Sequence, residues 1–175
     1  FYRHFRNMDD LGLQLLREGN DRLRGPLRAL RRQAAQQSIA DNTTDSTQEA
    51  ALRGRRVAQQ TVKLYFDYVL EHRDSVVIAG RELHGPSELL RAELREQMNG
   101  FAEDMAADIQ ELGLAPSSIS AARINQIAAL LSRNLFHLSL DFIAEPERRD
   151  NILELAHEQI IMLFAGASVL QDIAG

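Results

Sequence analysis

At 175 residues the chain is long enough for one domain of ordinary size with its own apolar core, and at 45% hydrophobic and 26% charged residues it has the composition of a folded globular protein, not a disordered one. No apolar run approaches the roughly 20 residues a bilayer requires, so no membrane span is expected; the absence of cysteine excludes a disulfide framework, a thiolate metal site and a cysteine nucleophile, and it fits a reducing, cytoplasmic location. The net charge of −5 is unevenly placed: eight arginines within residues 1–36 meet only four acids there, which leaves −9 for the rest, so a polyanion would approach the N-terminal end unless those arginines form a solvated helix face.

Phe1 opens the chain without the basic, apolar and small-residue order of a signal peptide, and the chain is expected to start inside a longer protein. From there apolar residues recur at spacings of three and four, the helical period, and an all-α fold is expected throughout. Asn7 is a good N-cap, with Asp9 and Asp10 in the first turn, for a helix from about Met8 to Ser38 that should kink at Gly25-Pro26, a candidate hinge. The polar run from Asp41 to Ser46 reads as a loop, and a second long helix follows from Thr47 to His72. A short helix over Ser75–Leu83 stops at His84-Gly85-Pro86, and Ser87 caps the next, Glu88 to Leu112. After a loop from Gly113 to Ser118, a helix from Ser120 to Ala144 breaks at Glu145-Pro146, and the last runs from about Glu147 to Leu170.

The last two helices speak to assembly. Ile124, Ile127, Leu131, Leu135, Leu138 and Phe142 make one stripe, Leu130, Phe136 and Leu140 lie off it, and Leu155, Ile160, Leu163 and Phe164 belong to a final helix that is apolar around much of its circumference. A helix apolar on more than one face needs more than one partner, so a two-fold, four-helix homodimer interface is expected through Ile127, Leu131, Leu135, Leu138, Phe142, Leu155, Ile160, Leu163 and Phe164; the alternative is that both helices are central in a monomer.

Chemistry is sparse. No two of His4, His72, His84, His137 and His157 stand three or four apart, so no helical metal pair and no metal or other cofactor is expected. Glu93, Glu96, Glu103 and Asp104 beside Arg91 and Arg95 have the spacing of an exposed helix face. With no glycine-rich phosphate loop and no nucleophile elbow, an enzyme is not expected. Met98, Phe101 and Met105 on one helix face, and Tyr65, Phe66, Val69, Val76 and Val77 before them, would suit an adaptable apolar cavity, although spacing alone favours a solid core.

The opening run Phe1-Tyr2-Arg3-His4-Phe5-Arg6-Asn7-Met8-Asp9-Asp10-Leu11 resembles the end of the helix-turn-helix of the TetR family of transcriptional regulators, whose pattern is Tyr, any residue, His, Phe and a Leu six residues on; Met8 departs from the family's usual Lys. With Gly12-Leu13 it is similar to the fatty-acid-synthesis repressors of that family, of the FabR/DesT type, and Arg81-Glu82-Leu83-His84-Gly85-Pro86-Ser87 resembles their Arg-Glu-Arg-x-Gly turn with Leu83 in place of the second Arg. The resemblance implies that residues 1–7 end a DNA-binding domain and that residues 8–175 form a helical ligand-binding and dimerisation domain. It implies phosphate contacts by Tyr2 and His4, with Arg3 and Arg6 as helpers, and base-reading residues upstream, so that the partner would be a double-stranded DNA operator. It further implies a homodimeric, cytoplasmic repressor of lipid or unsaturated-fatty-acid synthesis genes, sensing long-chain acyl-CoA. The pocket expected for that ligand consists of Phe66, Val69, Val77, Met98, Phe101, Met105 and Leu131, with Arg81 and His84 on its head group. A relative answering to a different apolar molecule or drug, and a helical adaptor without a ligand, are the alternatives.

Overall fold

The computed structural model describes residues 8–40 and 47–174, with side-chain surroundings for 8–37 and 51–170. The expected cap Asn7, the loop Asp41–Ser46 and the DNA-contact residues Tyr2, Arg3, His4 and Arg6 lie outside the described residues. Every regular element among the described residues is helical: α1 (Met8–Ala40), α2 (Thr47–Glu71), α3 (Arg73–Glu82), α4 (Glu88–Glu111), α5 (Ala121–Ala144) and α6 (Arg149–Ala174), with a single 3-10 turn, Pro146–Arg148, before α6.

Local chemistry sets the boundaries. Ser87 accepts a hydrogen bond from the Leu90 amide at 3.3 Å and Ser120 one from the Arg123 amide at 3.4 Å, so α4 and α5 each open on a hydroxyl cap. α4 ends on Gly113, at φ +59, where the Leu114 amide donates to the Ile109 carbonyl at 3.0 Å and the Gly113 amide to that of Gln110 at 3.4 Å. That paired closure uses the left-handed conformation glycine tolerates. α3 starts two residues earlier than its sequence pattern suggests. The His72 amide still donates to the Tyr68 carbonyl at 3.0 Å, and the His72 carbonyl accepts from Val76 at 3.1 Å, so the corner costs almost no chain. α1 runs through Gly25 and Pro26 without an interruption in its helix; both residues are exposed, where water can satisfy the carbonyl that proline leaves without a donor.

The six residues 41–46 reach at most about 20 Å, too little to return along α1, so α1 and α2 run antiparallel. The Tyr68 hydroxyl, which donates to the Gly19 carbonyl at 2.8 Å, fixes their register. α5 packs chiefly on α4 and also on α6 and α3. Two apolar clusters result: Val57, Ala106, Ile109, Ile124, Ile127 and Leu131 centre one, and Val62, Phe66, Val69, Leu138, Phe142 and Ile152 the other.

These clusters correct the expected interface. Ile127, Leu131, Leu138 and Phe142 are buried within the single chain, and surface already removed from water cannot be buried again by a partner. Leu135, Ile160, Leu163 and Phe164 are partly spent on the same clusters, and of the expected set only Leu155 is exposed. The outward apolar residues are instead Leu130 on α5 and Leu155, Met162, Val169 and Leu170 on α6. By length and composition α5 and α6 are both apolar enough to cross a membrane, which no simple run of apolar residues announces; 44% of the most apolar stretch of α5 is buried inside the fold, against 17% for that of α6.

Candidate ligand cavity

A cavity of about 560 Å³ lies along the inner faces of α1 and α2, closed by α3, α4, α5 and α6. On α2 its wall repeats with the helical period from Ala51 through Arg55, Ala58, Val62, Tyr65 and Val69 to His72, a stretch of roughly 30 Å at about 1.5 Å per residue. On α1 it runs from Leu15 through Gly19, Leu23 and Leu27 to Arg31. The lining is mostly apolar, and exposed Leu15, Leu52 and Arg55 border it, so it meets solvent at its ends. Volume and lining fall in the ordinary range of small-ligand sites.

Of the expected pocket residues, Val69, Met98, Phe101, Met105 and Leu131 line this cavity, and Phe66, Val77, Arg81 and His84 do not. The helical period accounts for the misses. Val62, Tyr65, Val69 and His72 face the cavity, so Phe66 points about 100° away, into contact with Phe142 at a centroid distance of 4.6 Å. On α3 Val76 and Ala79 face it, which turns Val77 aside. Arg81 and His84 are exposed near the α3–α4 turn, outside the wall.

Polar residues of the wall that sequence reasoning did not place there include Asn20, Arg31, Arg55, Tyr68, His72 and Gln97. The Tyr68 ring lies 4.3 Å from that of His72, and burial raises the Tyr68 hydroxyl above its ordinary pKa. Burial pushes the Tyr65 phenol up to about 12, against a hydrogen bond with Ser139 that lowers it. Asn20 Oδ1 is buried and has no hydrogen-bond partner among the described residues.

Five arginines of α1 reach acids on α4, although Arg17 and Arg32 among them stay more than half exposed. Arg17 pairs with Glu93 at 2.9 Å, Arg24 with Asp104 at 2.7 Å, Arg28 with Asp104 at 3.4 Å and Asp108 at 3.2 Å, Arg31 with Asp108 at 2.6 Å, and Arg32 with Glu111 at 3.6 Å. Both sets of numbers ascend together, so α1 and α4 run parallel and are laced along their length. Gly100 lets Arg24 lie across α4, since a Cβ there would stand 2.9 Å from its Nη1. The reading of Glu93 and Asp104 as an exposed face is therefore corrected: both are largely covered by α1. Glu93 is held below the usual carboxylate range chiefly by the Arg17 hydrogen bond; for Asp104, burial pushes upward, but the Arg24 hydrogen bond and the charges of Arg24, Arg28 and Arg31 outweigh it.

Among the described residues, no three His, Asp or Glu side chains gather as a metal site. No known family model matches the chain.

Proposed function

We propose that this chain is the ligand-sensing and dimerising body of a TetR-like, non-enzymatic repressor of lipid or unsaturated-fatty-acid synthesis genes, acting in the cytoplasm. Its ligand is a long-chain acyl group, with acyl-CoA the form the family resemblance implies. The observation that carries this reading is the long, mostly apolar cavity walled by α1, the helix that directly follows the Tyr2-to-Asn7 run resembling the end of a DNA-binding domain. A slender, extended chain suits such a volume better than a compact drug does. Ligand seated under α1 acts by preferring one of two positions of that helix; a ligand indifferent to the two would change nothing. In a dimer, the position of α1 sets the separation of two DNA-reading heads, whose half-sites lie about 34–36 Å apart or a multiple of that. The exposed apolar face of α6 supports the second copy.

The test is fluorescence anisotropy of an operator duplex titrated with the protein extended upstream of Phe1 through its DNA-reading residues, with and without saturated and unsaturated long-chain acyl-CoA. Tight binding that changes with acyl type is expected. Tight binding indifferent to acyl-CoA would keep the family and refute the ligand, and no binding would refute the repressor. Asn20, Gln97, Tyr68 and His72 in the wall favour one second reading, a repressor of the same kind that answers to a more polar small molecule.

A further inference from the structure

Arg31 is 5% exposed, yet its side chain forms part of the cavity wall. Its Nε and Nη2 both turn to one oxygen, Oδ2 of the fully buried Asp108, at 2.7 and 2.6 Å. A guanidinium carries five N–H donors, and among the described residues none of the hydrogen bonds or ion pairs engages the Nη1 edge. The other oxygen of Asp108 is taken by Arg28, which shares Asp104 with Arg24. Three guanidiniums therefore divide two carboxylates, so the cluster holds one positive charge in excess, and Arg31 is its member in the cavity wall. Glu103 and Asp21, both exposed, add their attraction at Arg24, on the solvent side.

A second cation stands at the same end. Gly19 is level with Tyr68, and twelve residues further along antiparallel helices bring Arg31 level with residue 56, next to Arg55, which is exposed and borders the cavity. The opposite end, around Leu15, Leu16, Tyr68 and His72, has no Arg, Lys, Asp or Glu in its wall.

We infer that the cavity takes a long-chain carboxylate, its head held by the free Nη1 edge of Arg31 with Arg55 at the rim, its tail running between α1 and α2 towards Tyr68. A carboxylate buried without a cation is prohibitively costly; here a cation is already buried, with its Nη1 edge unused among the described residues. The inference rests on the lipid-sensing reading and narrows it from acyl ligands in general to the free acid.

The experiment is displacement of an environment-sensitive apolar fluorophore from the chain by hexadecanoate, hexadecanol and the hexadecanoyl-CoA thioester. Hexadecanoate should bind roughly ten- to a hundredfold more tightly than hexadecanol, the range of one charge-assisted hydrogen bond. In Arg31→Met/Asp108→Asn, which removes one charge of each sign so that neither partner is stranded, that preference should vanish while hexadecanol affinity holds. Equal binding of acid and alcohol to the unaltered chain, which needs no variant, overturns the inference, as does a preference that survives the double substitution. Preference for the thioester that is lost in Arg55→Gln places the head at the rim and overturns it too. If none of the three displaces the fluorophore, the lipid-sensing reading falls with it; if hexadecanol competes and the acid gains nothing, only the role of Arg31 falls.

Discussion

Asp108→Ala should be among the most damaging single substitutions in the chain. The carboxylate is fully buried, accepts from Arg31 Nε at 2.7 Å and Arg28 Nη2 at 3.2 Å and lies 2.6 Å from Arg31 Nη2, and its removal leaves Arg31, 5% exposed, with a charge it cannot hydrate. Breaking a buried pair from one side costs about 3–5 kcal/mol. Set against about 5–15 kcal/mol for a whole domain, that is a large share, and for a chain of this size it lowers Tm by roughly 6–20 °C. Glu93→Ala provides the internal contrast: its partner Arg17 is 62% exposed, so the loss should stay at about 1 kcal/mol or less. Thermal and urea unfolding followed by circular dichroism read both variants, and Arg31→Met/Asp108→Leu should recover most of what Asp108→Ala loses. Equal costs for Asp108→Ala and Glu93→Ala would refute the account of the ladder. Acid supplies a second arm. Glu93 and Asp104 titrate lower folded than unfolded, so they add stability that is present above about pH 4 and is lost as pH falls through their depressed values.

Gly54→Ala should destabilise the fold by about 1–3 kcal/mol in urea unfolding, because a Cβ at Gly54 would fall 2.1 Å from the Leu114 carbonyl oxygen and backbone must move; a cost near zero would show that the α4–α5 loop gives way freely. Absorbance titration of the phenols should reveal a group that reaches half-ionisation only at about pH 12, missing in Tyr65→Phe. Because the unfolded phenol ionises near 10, stability should fall between about pH 10 and 12. Light scattering should show the proposed dimer, and Met162→Glu/Val169→Lys should turn it into a monomer without altering the helical spectrum, since both side chains are exposed in the single chain; a variant that stays dimeric would move the interface off α6, and an unaltered chain that is monomeric would refute the dimer.

The helices were legible in the sequence because capping and periodicity are local. Ser87, Gly113 and Ser120 each announce a boundary that hydrogen bonds then realise. The cavity was half legible. Met98, Phe101 and Met105 share a face by spacing alone, whereas Phe66 and Val77 differ from true wall residues by a single helical step, a distinction set by which neighbour each helix meets. Arg31 and Asp108 carried a signal that went unread: each occupies an apolar position, Arg31 in the row Leu23, Leu27, Arg31 and Asp108 beside Ile109, and opposite charges at two such positions are the mark of a buried pair. The interface stripe was misassigned for a different reason. Periodicity identifies an apolar face but not what covers it, and α4 claims Ile127 and Leu131 before any second chain can.

The ladder and the cavity depend on one another. A helix docked wholly by apolar side chains gains most when the space beneath it closes, at a rate of about 25 cal/mol per Å² of apolar surface removed from water. α1 instead has two attachments. Its outer edge is fastened to α4 through Arg17, Arg24, Arg28, Arg31 and Arg32, at separations fixed by guanidinium–carboxylate geometry, which resists further approach. Its inner edge, Leu15, Leu16, Gly19, Leu23 and Leu27, is thereby held over the cavity instead of sinking into it. Replacing the ladder with well-packed leucines and methionines is often stabilising in such cases, and here it would remove the spacing that keeps the cavity open. Charge in this helix serves to keep an interior space, and the one member that turns inward, Arg31, is the member a ligand can touch.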